Sequence, residues 1–227
     1  MVSPIRKMFD DISLRYDFLN HTLSCFRDIS WRNSCCKELK QLNPGKRVLD
    51  LCGGTGDFIN TYHKHFGQTE KSILGDFSFG MLSCAKKKNI QTTPIQLDAM
   101  KMPFGENTFD VVLNGFGMRN LPDTEIGLKE AYRVLSPSGF LVVLDFFSPR
   151  NKFNTFFYKR LAPLFIPFLG AFFSKKRSAY EYLLSSIQKF LTVKNFLDLA
   201  ENNGFKVVLE KPCDFGIAYR IILQKEL

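Results

Sequence analysis

Leu49-Asp50-Leu51-Cys52-Gly53-Gly54-Thr55-Gly56-Asp57 is the stretch that decides the fold. With Val48 in front of it, Leu49-Asp50-Leu51 reads as the end of a buried strand, and the glycines that follow read as a sharp turn into a helix. Glycines at 53, 54 and 56 let backbone amides approach a ligand with no Cβ in the way. Strand-to-helix turns also use glycine for steric reasons alone, so the loop by itself leaves a purely structural reading open.

Outward from this loop, strand candidates recur at 47–51, 72–76, 94–97, 109–114, 140–146, 205–210 and 219–224. Helix-compatible stretches lie between the early ones, at 57–66, 79–88 and 124–135, and Pro137-Ser138-Gly139 reads as a tight turn. Strands alternating with helices predict an α/β fold, a doubly wound, mainly parallel sheet covered on both faces. The chain has 227 residues, 45% of them hydrophobic and 23% charged, which fits one globular domain and excludes a disordered, collagenous or coiled-coil protein. Three stretches stand outside the rhythm and are expected to face substrate: a helical N-terminal cap over 1–44, and a lid and substrate-binding insertion over 149–203 made of a basic segment and a helical part from 180.

Asp76 ends the second strand twenty residues after Gly56, where a carboxylate accepts hydrogen bonds from ribose hydroxyls. Asp98 closes the third strand and is followed by Ala99, from where an adenine edge is within reach. Singly, each Asp could be a helix cap or a solvated loop residue. Together they describe an adenosine site at the carboxyl edge of the sheet. The glycine spacing is not G-x-G-x-x-G. It approximates D-x-G-x-G-x-G with Cys52 in the first glycine position, and Asp50 would repel a diphosphate while suiting the cationic amino-acid end of S-adenosyl-L-methionine. The expected cofactor site is Asp50, Gly53, Gly54, Thr55, Gly56, Asp76 and Asp98.

Val48 to Asp57, Asp76-Phe77-Ser78, Asp98-Ala99-Met100 and Asn107-Thr108-Phe109-Asp110 resemble class I S-adenosylmethionine methyltransferases. More narrowly, Phe116-Gly117-Met118-Arg119-Asn120-Leu121-Pro122-Asp123 and Tyr132-Arg133-Val134-Leu135-Ser136-Pro137-Ser138-Gly139 resemble the ubiquinone/menaquinone biosynthesis C-methyltransferase family, as do Met8-Phe9, Tyr16-Asp17 and Asn20 near the start and Tyr180 to Phe190 later. The resemblance implies a seven-stranded sheet with its last strand antiparallel, and methylation of a ring carbon of a polyprenylated quinol, demethylmenaquinol being the expected acceptor. It places cofactor contacts at Thr55, Asp76, Asp98, Ala99 and Gly115. The chain departs from the family at Cys52, at Ser138, where the Pro-Gly-Gly turn has glycine, and over Gly216-Ile217-Ala218-Tyr219-Arg220, where the family ending contains His.

A quinol carbon becomes nucleophilic when the neighbouring hydroxyl loses its proton, so a base or a phenolate-stabilising cation is expected near the methyl donor. Arg119 is the candidate, acting on phenolate or on a water because arginine stays protonated; the competing role is a loop anchor binding carbonyls. Asp145, Tyr182 and Asn120 are candidates for orienting substrate, and Tyr16 either closes over the cofactor or packs. No metal is expected: His21 is isolated, and His63 and His65 diverge on a helix. Cys35-Cys36 reads as packing.

Of 31 Lys and Arg against 22 Asp and Glu, seven basic residues and no acidic one fall in 149–180. Seven phenylalanines share that segment, so residues 150–177 are expected to meet an anionic membrane surface or, alternatively, to pack as a lid with solvated charges. Residues 161–173 carry no charge but fall short of the roughly 20 needed to span a bilayer. With six cysteines, no C-x-x-C pair and no signal-peptide core, the expected location is cytoplasmic, peripheral to the membrane's inner face. Nucleic acid is not an expected partner, since Asn114-Gly115-Phe116-Gly117 is no Asn-Pro-Pro-Tyr clamp. Open alternatives are another apolar acceptor such as a sterol, and a non-catalytic membrane-surface module. The acceptor ring and the oligomeric state, a homodimer included, are not decided by any residue.

Overall fold

The computed structural model describes residues 4–148 and 177–226. The basic, Phe-rich segment expected to meet a membrane lies almost wholly outside them. Seven strands form one sheet: β1 (Arg47–Leu51), β2 (Lys71–Asp76), β3 (Thr93–Gln96), β4 (Phe109–Gly115), β5 (Leu135–Asp145), β6 (Phe205–Cys213) and β7 (Ala218–Lys225). Their order is β3-β2-β1-β4-β5-β7-β6, parallel throughout except that β7 runs antiparallel to both neighbours. The chain winds outward from β1 in one direction and from β4 in the other. The crevice between their carboxyl ends is where such sheets bind ligands.

Both faces are covered, which is why β1 and β5 are apolar along their length. Leu49, Leu51, Leu141 and Val143 pack on the face covered by α6 (Thr124–Val134) and α8 (Val193–Asn202). Their alternating neighbours Val48, Val142 and Leu144 face α3 (Arg27–Lys40), α4 (Asp57–Phe66) and α5 (Phe79–Lys87). Cys35 and Cys36 are buried there as packing residues. Before α3 come α1 (Pro4–Ile12) and α2 (Tyr16–Leu23), whose Phe9 and Ile12 bury against Met81 of α5. The stretch from 180 is helical as expected and forms two helices: α7 (Arg177–Lys189) stops, and Thr192 starts α8 by accepting from the Asn195 amide.

Two sequence expectations shift. β3 ends at Gln96, leaving Asp98 two residues beyond it. Residues 136–139 do not stand between helix and strand but within an irregularity of β5, since Leu135 pairs with Phe109 and Phe140 with Val111. Ser138 takes the left-handed φ of 63° at its exposed apex, a conformation that costs an L-residue about 1–2 kcal/mol. Ser138→Gly is therefore expected to raise the melting temperature by about 1–3 °C; calorimetric melts of the two proteins check it, and an unchanged or lower midpoint contradicts it.

Candidate active site

The carboxyl edge of the sheet holds two adjacent cavities. The larger, about 450 Å³, is lined by Asp76 and Phe77 after β2, Asp98 and Ala99 after β3, and Phe116 and Asn120 after β4, and is bordered by Ile5, Arg6 and Phe9 of α1. The smaller, about 20 Å³, lies over the glycine loop between Asp50, Thr55 and Gly115 and the cap residues Tyr16, Asn20 and Arg32. Tyr16, Cys52, Gly54 and Phe116 border both.

The loop owes its shape to alternation. Cys52, Gly54 and Gly56, the three glycine positions of D-x-G-x-G-x-G, have φ of 56°, 58° and 84°. Gly53 has an ordinary φ but no room: a Cβ there would lie 2.3 Å from Leu74 Cδ1 and 2.6 Å from Asp50 Cγ. Cys52 alone bears the strain of a side chain in the left-handed region.

Asp50 is fully buried. Its Oδ2 accepts from the Ile59 amide at 3.0 Å while Oδ1 has no partner, and burial pushes the carboxyl up to about 7. Asp76 accepts from the Gly54 amide at 2.9 Å and the Ser78 amide at 2.8 Å, and burial pushes it up to about 6. Asp98 is exposed, accepting from the Met100 amide at 2.9 Å in the local turn that competes with a ligand role. Ala99 is buried beside it. Thr55 donates to Asp17 of α2 and accepts from Lys88 at 3.1 Å. Gly56 caps α4 and lines neither cavity.

The expected reaction residues form a second layer. Arg119, its side chain only 8% exposed, donates from Nη1 to Asp145 at 2.6 Å and to the Phe116 carbonyl at 2.7 Å, with Nε unpartnered. Burial raises the Asp145 carboxyl even against Arg119. Tyr182 donates to Asn120 Oδ1 at 2.9 Å, and Asn120 Nδ2 to the Phe116 carbonyl at 2.9 Å. The structure thus brings Arg119, Asp145, Tyr182 and Asn120 into one network, in which Asn120 lines the larger cavity and the other three line neither cavity.

Sequence reasoning missed most of the cap's charges. Asp10 accepts from Ser78 Oγ at 2.6 Å and the Gly80 amide at 2.9 Å, latching α1 beside Asp76. Lys88 bridges Asp17 and Asp57, both at 2.7 Å. His21, which the sequence leaves isolated, lies 2.8 Å from Asp28 and 3.6 Å from Asp57. Except for His21 and Asp28, which are seven residues apart, these contacts join elements far apart in sequence, so no local spacing announces them.

A buried carboxylate oxygen with no donor is the complement of an ammonium group, and Asp50 supplies one beside the glycine loop. Asp76 beside the larger cavity suits a ribose. The residues present fit S-adenosylmethionine. A model of the ubiE/COQ5 methyltransferase family matches residues 2–223. The chain belongs to that family. It is 35% identical to a demethylmenaquinone methyltransferase of Chlorobaculum tepidum, over 98% of this chain and 93% of the relative. It is 34% identical to the ubiquinone/menaquinone biosynthesis C-methyltransferase UbiE of Campylobacter jejuni, over 97% of both. Among solved structures, an S-adenosylmethionine-dependent methyltransferase of Thermotoga maritima superposes with a TM-score of 0.68 at 19% identity, covering 97% of this chain and 99% of that one. This ubiE/COQ5 family member is an S-adenosylmethionine-dependent C-methyltransferase of the class I fold.

Both buried carboxylates must be ionised to receive a cation or a ribose donor. Cofactor affinity is expected to fall as pH drops from 8 through about 7 and 6, by up to about tenfold per pH unit for each group titrated; calorimetric titration at stepped pH checks this. Stability moves the other way. With Asp50 raised above its unfolded value of about 3.9, the stability gained from its protonated form is complete below about pH 4 and is lost as pH rises through about 7. Asp50→Asn is expected to melt higher than the parent at pH 8, with a smaller difference at pH 4, while losing cofactor affinity.

Proposed function

We propose that this methyltransferase transfers a methyl group to a ring carbon of a polyprenylated quinol, converting demethylmenaquinol to menaquinol. The observation that carries the reading is the similarity to demethylmenaquinone methyltransferases over 94–98% of the chain. The apolar side chains around the larger cavity, among them Phe9, Phe77, Met81 and Leu121, suit a flat lipophilic ring.

S-adenosylmethionine, when bound, supplies an electrophilic methyl on a sulfonium. Asp50 holds the ammonium end of that cofactor, the glycine loop and Thr55 cradle its amino-acid part, and Gly115 lets it lie close to β4. Asp76 accepts from the ribose hydroxyls. Asp98 and Ala99 border the adenine. Asn120, steadied by Tyr182, orients the acceptor ring. Arg119 is fixed by Asp145 and keeps its Nε–H without a partner. We assign it the task of stabilising negative charge as the ring hydroxyl is deprotonated, directly or through a water. The cap excludes water by placing Tyr16 and Phe9 over the cavities.

A lipid-tailed acceptor has to be collected from a membrane. No helix among the described residues is long and apolar enough to cross one. We assign the contact to residues 150–177 on composition, acting at an anionic inner surface from the cytoplasmic side.

The test is methyl transfer from radiolabelled S-adenosylmethionine to demethylmenaquinol, a demethylated ubiquinol precursor and a sterol, in anionic vesicles. Label is expected in the naphthoquinol. Arg119→Ala should lower kcat by about 10²–10³ with cofactor Kd unchanged, and Asp76→Ala should weaken cofactor binding about tenfold or more. Label in the sterol alone, or Arg119→Ala at full rate, overturns the corresponding assignment. Neutralising Lys175, Lys176 and Arg177 should lower sedimentation with anionic vesicles; equal sedimentation removes the membrane role from this segment.

A further inference from the structure

The smaller cavity holds charges of both signs. Asp50 presents its unpartnered Oδ1 from the sheet side. Arg32, brought in by α3, lines the same cavity, and neither the loop motif nor the family resemblance singles it out. Its side chain is 7% exposed, and a buried guanidinium needs compensation. Part of that comes from behind: Nη1 donates to Asp28 Oδ2 at 2.6 Å, and Asp28 is itself held by Ser24 Oγ at 2.7 Å and by His21 at 2.8 Å. Burial raises Asp28, but Arg32, Ser24 and His21 outweigh it and keep the carboxyl below its ordinary value, so it stays a carboxylate under the guanidinium. The guanidinium carbon lies 5.7 Å from the centroid of Phe116, a ring that borders both cavities. Among the described residues, the one hydrogen bond the guanidinium makes is that to Asp28, which leaves other N–H groups of its planar fork for a ligand.

A buried guanidinium anchored by Asp28 and an orphaned carboxylate that line one small cavity, next to the larger one, are the complement of a zwitterion. We propose that Arg32 is a cofactor-binding residue that receives the α-carboxylate of S-adenosylmethionine while Asp50 receives its ammonium, so that the N-terminal cap completes the amino-acid subsite. The guanidinium bonds to Asp28 and not to Asp50, whose Oδ1 is left without a partner. Asp57 also lines the cavity, but its charge is met by Lys88 at 2.7 Å from Oδ1 while its Oδ2 lies 3.9 Å from Arg32. The inference rests on the methyltransferase reading and assigns one half of its cofactor site.

The test compares two ligands that share the adenosine but not the amino acid: S-adenosylhomocysteine and 5′-deoxy-5′-methylthioadenosine, each titrated calorimetrically into the full chain. The parent is expected to bind the homocysteine compound more tightly. Arg32→Gln should weaken that binding about 10- to 100-fold, the range of a charge-assisted hydrogen bond, while leaving methylthioadenosine within about threefold. Arg32→Lys should recover part of the difference. Since Arg32→Gln leaves Asp28 buried without its cation, the double variant Asp28→Asn/Arg32→Gln keeps the charge balanced should the single variant fail to fold, and it should show the same selective loss. Equal weakening of both ligands, or no weakening of either, overturns the proposal. A parent that binds the two ligands equally also overturns it and leaves the methyltransferase reading standing, whereas a parent that binds neither overturns both.

Discussion

The Asp76 carboxylate, bonded to the Gly54 and Ser78 amides, is the constraint on which the rest of the site depends. Parallel pairing sets Leu51 beside Gly75, so the first residue past the register of β1 and β2 is the one that can reach across to the neighbouring loop. Asp76 thereby ties the glycine loop to the start of α5, and the Gly53 amide, donating to the Gly75 carbonyl at 3.1 Å, repeats the tie on the backbone. Neither bond could form with a side chain at Gly53, because Leu74 and Asp50 already occupy that space. Ladder register, loop glycine and carboxylate are one mutually dependent arrangement.

The cap is built onto that arrangement through charge more than through burial. α1 contributes a small apolar contact around Phe9, Ile12 and Met81, and its Asp10 bonds to the turn that Asp76 organises. α2 adds Asp17 against Thr55 and Lys88. Pairs with exposed partners contribute about 0–1 kcal/mol each, so the seam holds the cap in place without making its opening expensive. A cofactor that must enter and leave beneath Tyr16 and Phe9 requires that balance, and the cap also forms one wall of the chamber it covers.

What could be read from the sequence follows from how local each feature is. The D-x-G-x-G-x-G alternation was legible because φ at 52, 54 and 56 is set within five residues, and Asp76 because strand length fixes its distance from the loop. The sheet was legible from its apolar runs, which two covered faces demand. Arg119 could be found but not placed, since whether it lines a cavity depends on Asp145, 26 residues away, drawing it into a second layer. Arg32 and the partners of His21 gave no sign, and Asp17 showed only as part of a family motif with no role attached. Their meaning comes from docking of helices whose own faces look like ordinary polar surface, and the α3 sequence, with Asp28 and Arg32 one turn apart, reads as a routine i,i+4 pair until both are found buried.

The site is also where the fold gives up stability. Asp50 and Asp76 are carboxylates that burial disfavours, Asp50 lacks a donor, and Cys52 holds a side chain in a left-handed turn. None of this serves packing, and burial of Val48, Leu49, Val142 and Val143 on both faces of the sheet is what tolerates it. A ligand that brings an ammonium to Asp50 and ribose hydroxyls to Asp76 removes part of the penalty, and by linkage it stabilises the folded chain, by about 2.7 kcal/mol at a hundred times its Kd. The same unmet charges that weaken the empty site are therefore the source of its selectivity, because a ligand lacking the cation leaves Asp50 as poorly satisfied as before.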